Sequence, residues 1–174
     1  MKKTIILLFL SVVFFAACKR SDKDMIAKKW RAVKLESPDM DKKIHEQEMF
    51  LDTFGKHADE KTNEAIYGVK NIDSARESLK AQLKDFKDMQ EHSTKNTWFD
   101  FHPDGVVVMN FSGQRDSTNW YFDDEHALIL DEMKLKGAGN KIKMVVKQLT
   151  DTSLKLEFNE EGMTSTVTFH PEKK

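Results

Sequence analysis

One cysteine, seven glycines and no surplus of charge of either sign remove several function classes from a chain of 174 residues. A lone cysteine has no disulfide partner. The few glycines form no phosphate-cradling loop, and neither a G-x-S-x-G elbow nor an H-E-x-x-H pair occurs. Twenty-eight basic and 29 acidic side chains give a net charge of -1, so no polyelectrolyte drive toward nucleic acid exists. Hydrophobic residues make up 39% of the chain, but 14 of the first 18 residues belong to that class. The remainder is polar enough to support only one modest layer or barrel, although its aromatics and β-branched runs set it apart from a disordered chain.

What is present begins at the amino terminus. Lys2 and Lys3 form a basic region, Ile5 to Phe15 an apolar stretch, and Ala16 and Ala17 a small-residue site before Cys18. This pattern reads as an export signal. The apolar run of about 13 residues is short of the ~20 that span a bilayer core, which disfavours a transmembrane helix. Phe15-Ala16-Ala17-Cys18 resembles the lipobox of bacterial lipoproteins. That resemblance implies cleavage before Cys18 and acylation of its thiol and new amino group with fatty acids such as palmitate. Lys19 in place of aspartate then implies the outer membrane, on either of its faces. An ordinary secretory signal is the alternative, and it leaves the single cysteine unexplained. Residues 1–17 are thus expected to be the signal peptide, and 18–29 the lipidated cysteine and a solvated tether.

Past the tether, Trp30 to Leu35 reads as a first strand. Ser37-Pro38-Asp39 then supplies an N-cap, an N1 proline and an acidic first turn, and Met40, Ile44, Leu51 and Phe54 recur at helical spacing until Gly55. Ser74-Ala75-Arg76-Glu77 reads as a capping box for a second helix with Leu79, Leu83, Phe86 and Met89 or Gln90 on one face. Residues 38–95 are therefore expected to be a two-helix insertion joined by a polar stretch, Lys56 to Asn71.

From Thr97 the period changes to two, with turn signals every eight to twelve residues. Alternation places Phe99 with Phe101, Val107 with Met109 and Phe111, Trp120 with Phe122, and Leu128 with Leu130 on one face. Ile142, Met144 and Val146, then Leu154, Leu156 and Phe158, then Val167 and Phe169 continue it. With the Trp30 segment this gives about eight short antiparallel strands, dry on one face, which avoid open edges most simply by closing into a barrel.

The chain is similar to the lipocalin-like domains of bacterial envelope lipoproteins. The likeness rests on the lipobox, Ile26-Ala27-Lys28-Lys29-Trp30, the F-x-F-x-x-D-G run from Phe99 to Gly105, the Trp120 strand, and Leu149 to Leu156. It implies an up-and-down barrel over 30–174, closed at one end near Trp30, with the helices inserted after the first strand.

A barrel of this size is either filled by its own side chains or holds one small apolar ligand. The candidate ligand-binding residues are Trp30, Phe99, Phe101, Met109, Phe111, Trp120, Phe122, Met144, Phe158 and Val167. Metal ligation through Asp88 and His92, or through Asp123 to His126, competes with the simpler reading of a solvated helix end and an acidic turn. No metal, cofactor or catalytic residue is expected. The helical insertion reads as barrel packing, a cover over the mouth, or a docking surface for an envelope protein. Two functions remain open: a membrane-anchored carrier of an apolar molecule, and a structural or interaction lipoprotein with a filled barrel.

Overall fold

The computed structural model describes residues 20–111, 113–160 and 162–172. The expected signal peptide, residues 1–17, and the expected lipidation site, Cys18, lie outside the described residues. Eight antiparallel strands close into an up-and-down barrel in chain order: β1 (Lys29–Glu36), β2 (Trp98–Phe101), β3 (Val106–Phe111), β4 (Gln114–Phe122), β5 (Leu128–Asp131), β6 (Lys141–Leu149), β7 (Leu154–Glu160) and β8 (Met163–Pro171). β1 completes the ring, pairing Trp30 with Phe99 on β2 and Ala32 with Phe169 on β8. A register shift between Ala32 and Lys34 bends β1 and brings Leu35 opposite Val167.

The register gives the barrel a base and a mouth. The tight turns at 102–105, 123–127 and 150–153 all lie at the base, beside Lys29 and Pro171. The long insertion between β1 and β2 and the β5–β6 connection lie at the mouth. A short helix, α1 (Asp22–Ile26), capped by Ser21, plugs the base. Part of the stretch read as a solvated tether is therefore structural. Ile26 is fully buried, and its carbonyl accepts a 2.8 Å hydrogen bond from Trp30 Nε1. Trp120 closes the neighbouring corner, its Nε1 shared between the carbonyls of His102 and Val106 at 3.1 Å each. The turn beneath it requires Gly105 at φ +90°, a region that costs a residue with a Cβ, and Gly105 O accepts from Trp120 N at 2.8 Å.

The insertion contains three helices, not two: α2 (Pro38–Thr53), α3 (Glu60–Tyr67) and α4 (Ile72–Asn96). The polar joining stretch hides α3 because its start is a single side-chain cap, Asp59 accepting from Thr62 N at 2.8 Å, and its end is Gly68 in the left-handed region. The cap of α4 is Asn71, whose Oδ1 accepts from Ser74 N at 2.9 Å; Ser74 itself lies within the helix. Ser37 sits at the N-cap of α2 without capping, and instead accepts a 3.1 Å hydrogen bond from Ser165 of β8, tying the helix start to the barrel. Arg76 binds the insertion together: its guanidinium donates to Phe54 O and pairs with Asp73. Asn63 Nδ2 donates to the carbonyls of Gly55 and Ala58. The expected apolar faces hold: Met40, Ile44, Leu79, Leu83 and Phe86 are half-buried and Leu51 fully buried. Gln90, not the exposed Met89, continues the α4 face.

β4 begins at Gln114, six residues before Trp120, the first residue that alternation marks on it, because its mouth half carries polar residues on both faces. One of these, Thr118, points inward and is fully buried, and its hydroxyl has no partner among the described residues. A buried hydroxyl without a partner costs about 1–3 kcal/mol. Thr118→Val keeps the shape and removes that oxygen, and is expected to raise the unfolding free energy by about 1 kcal/mol in urea titration. A loss of stability of similar size would show that the hydroxyl is hydrogen-bonded in solution.

Candidate functional site

The inward positions divide by height in the barrel. Trp30, Phe101 and Trp120 are 0–3% exposed and fill the base with Ile26 and Leu154. Their rings pack edge to face: Phe101 on Trp120 at 5.4 Å and Trp120 on Phe122 at 6.0 Å. Met109 is buried in the wall and Phe122 packs against the core. None of these five expected ligand-binding residues lines the cavity at the mouth: Trp30, Phe101, Trp120 and Phe122 close the base, and Met109, opposite Phe99 in the register, is packed into the core cluster.

The mouth half is open. A cavity of about 690 Å³ lies there, walled by Phe99, Phe111, Met144, Phe158 and Val167, the other five expected residues. Ala32, Leu35, Ile142, Leu156 and Phe169 complete the apolar surface. Phe99 forms its floor, stacked on Phe169 at 5.2 Å and edge to face with Phe111 at 5.4 Å. Phe111 and Ile142 remain 45% and 41% exposed, a degree of wetting that marks the opening. The volume falls within the range of small-molecule pockets, roughly 300–1,000 Å³.

One wall is helical. Ser93 and Thr94 near the C-terminal end of α4, with Thr97 just past it, border the cavity. Thr94 Oγ1 donates to Gln90 O and Thr97 Oγ1 to Ser93 O, each at 2.9 Å, so these hydroxyl oxygens keep only acceptor capacity. Sequence reasoning missed this wall, because three hydroxyl residues at a helix end carry the same pattern as a solvated terminus. It also missed α5 (Glu132–Lys136), which stands over β4 at the mouth, capped by Asp131 Oδ1 accepting from Lys134 N at 3.2 Å and ended by Gly137.

The rim charges are paired. Lys136 Nζ lies 2.7 Å from both oxygens of Asp116 and 3.2 Å from Glu132. Lys141 Nζ is 3.0 Å from the nearly buried Asp131. Lys143 is turned away from the rim, bridging Asp123, at 3.0 Å, and Glu125 in the base turn. Asp123 also accepts from the backbone of Ala127 and Glu125, which accounts for the acidic turn without a cation. Asp88 pairs with Lys84, and His92 lies 2.8 Å from the Asn96 amide, so that couple does not converge on a common point. Among the described residues no group of three or more His, Cys, Asp or Glu could hold a metal.

These contacts set a pH dependence. The Lys136 hydrogen bond holds the Asp116 carboxyl below its ordinary value, and the Ala127 N–H does the same for Asp123. Burial pushes the Asp131 carboxyl up, but Lys141, the Lys134 N–H and Tyr121 together more than offset it. Groups whose folded pKa is depressed contribute fully above the unfolded values, about 3.9 for Asp and 4.3 for Glu, and lose the contribution as pH falls through the folded ones. The urea midpoint is therefore expected to be flat between about pH 5 and 8 and to fall below about pH 4. A midpoint that rises on acidification would contradict these pairings. Lys136, Lys141 and Lys143 are raised by the same partners, so their share is complete below the unfolded value of about 10.4 and is lost as pH climbs through the folded values.

Comparison with known proteins adds little. No protein-family model matches the chain, and no curated protein matches it. The 1.00 Å crystal structure of a DUF4847 family protein from Bacteroides vulgatus aligns with 88% of this chain and 98% of that one, at 13% identity and a TM-score of 0.40. Similarity at that level carries nothing from that protein to this one. The barrel assignment rests on the strand register of this chain, which closes β1 on β8.

Proposed function

We propose that this protein is a lipid-anchored lipoprotein of the bacterial outer membrane whose lipocalin-like barrel carries a small apolar molecule in the mouth cavity, without catalysing a reaction on it. The observation that carries the reading is the cavity of about 690 Å³ with aromatic and aliphatic walls beneath α4. Burying an apolar ligand there gains roughly 25 cal/mol per Å² of surface removed from water. The described lining contains no His, Cys, Asp or Glu to serve as a base or acid for its hydroxyls, which favours carriage over chemistry.

The lipid anchor fits this geometry. Arg20 pairs with Asp151 of the base at 3.2 Å, and Cys18 precedes it by two residues, a reach of about 7 Å at full extension. An acylated Cys18 would seat the base against the bilayer and turn the mouth away from it. Cargo would then exchange with the aqueous side or with a protein there.

A second reading has its own observation. Met49, Phe50, Ile66 and Met89 of the insertion are 46–62% exposed, which suits an envelope protein docking on the helices. Native mass spectrometry of the chain from Lys19 on, which contains every contact of the described fold, separates the two. A co-purified apolar molecule of defined mass is expected. A protein that stays free of small molecules, even when hydrophobic probes are supplied, would leave the interaction reading.

A further inference from the structure

We propose that the mouth cavity selects an uncharged amphiphile with a hydrogen-bond-donating head, of the fatty-alcohol kind, over a fatty-acid anion of the same chain length. This rests on the reading of the cavity as a binding site and adds the chemistry of its ligand.

The charged residues among the described lining are Lys141 and Lys143. Neither ammonium is free. Lys141 lies 3.0 Å from Asp131, whose side chain is 4% exposed. Turning toward a bound anion would leave that carboxylate to the Tyr121 hydroxyl at 3.5 Å and the Lys134 N–H at 3.2 Å. Lys143 is held by Asp123 and Glu125 together. Farther round the mouth, Lys136 is held by both oxygens of Asp116 and by Glu132. An anion entering the cavity would lose hydration and meet only ammoniums already neutralised by carboxylates.

Two of the four neutral polar residues in the lining point the same way, and a third, Asn159, donates an amide N–H to Thr164 Oγ1 at 3.4 Å and accepts from Gly162 N at 3.2 Å. Thr94 and Thr97 spend their protons on backbone carbonyls, so their oxygens present acceptors. An ionised carboxylate is itself acceptor-only, and sets lone pairs against lone pairs. An alcohol supplies the missing donor. The apolar walls are indifferent to this choice, since equal alkyl chains bury equal surface.

The test uses the chain from Lys19 on and the neutral fluorophore N-phenyl-1-naphthylamine, displaced at pH 8 by 1-decanol or by decanoate. Decanol is expected to displace it at concentrations about tenfold or more below those decanoate needs. Lowering the pH toward 5 should close that gap as the decanoate carboxyl takes up a proton. Leu35→Lys, on the apolar wall, adds an ammonium without a carboxylate partner; it should strengthen decanoate about tenfold and change decanol little. Thr94→Lys makes the same addition from the helical wall should Leu35→Lys fail to fold. Decanoate within about twofold of decanol at pH 8, or no gain for decanoate in a folded lysine variant, overturns the selectivity. Failure of both the fluorophore and decanol to bind the folded protein is a different result: it removes the binding reading itself, and the selectivity with it.

Discussion

Trp30→Ala is expected to lower the unfolding free energy by about 4 kcal/mol, within the range for deleting a buried large aromatic. The indole is 0% exposed, anchors the base against Ile26 and Phe101, and carries Lys28 Nζ 4.9 Å from its ring centroid. Its Nε1–H also donates to Ile26 O at 2.8 Å, a carbonyl that then keeps only the Lys28 N–H at 2.7 Å, so truncation removes a buried hydrogen bond as well as opening a void. Domains of this size are stable by only about 5–15 kcal/mol, so the variant should sit near the edge of folding. Urea titration followed by far-ultraviolet circular dichroism measures the loss. Trp30→Phe refills most of the void but not the hydrogen bond, and should cost about 1–2 kcal/mol. If the alanine variant loses less than about 1 kcal/mol, the base is not packed as described.

Cys18→Ser should move the protein almost completely from the membrane pellet to the soluble fraction. A buried acyl chain contributes about 0.8 kcal/mol per CH₂; one chain binds marginally, and two or more hold stably. Serine offers no thiol for the proposed acylation, so on that reading the anchor is lost in one substitution. What remains at the base is mixed charge, Arg20, Lys23, Lys28 and Lys29 against Asp22, Asp24, Asp151 and Glu172, which gives no net attraction to an anionic surface. Fractionation of cells expressing each form is the measurement. A serine variant that still sediments with membranes would refute acylation as the anchor, while leaving the barrel and its cavity untouched.

The two-residue period from Thr97 onward was legible because each strand buries one face and wets the other, so burial is written into the residue order. β2, β3 and β6 run over the stretches that alternation marks, and the inward residues it selects are the ones facing the interior. The same logic was blind where polarity did not alternate. The mouth half of β4, with Arg115, Asp116, Ser117 and Thr118, pairs with β3 through backbone hydrogen bonds that owe nothing to side-chain hydrophobicity. α3 and α5 depend on single caps from Asp59 and Asp131, weak signals beside a run of charged residues. Of the ten residues proposed for a ligand, five line the cavity and five are packed into the core, four of them at the base. Nothing in their chemistry separates the two sets.

That separation was decided by height along the barrel, which is a property of the closed register: Phe101 sits opposite Val107 beside the base turn, while Phe111 and Phe158 stand near the far rim. The order of residues by itself determined that there would be strands, which of their faces would be dry, and that helices would interrupt them after the first. Where the interior stays open, and that a row of hydroxyls from α4 would form one wall of the opening, came only with the tertiary structure. These features depend on distances between segments more than 60 residues apart, such as Ala32 N donating to Thr97 O, and local patterning does not encode distances of that kind.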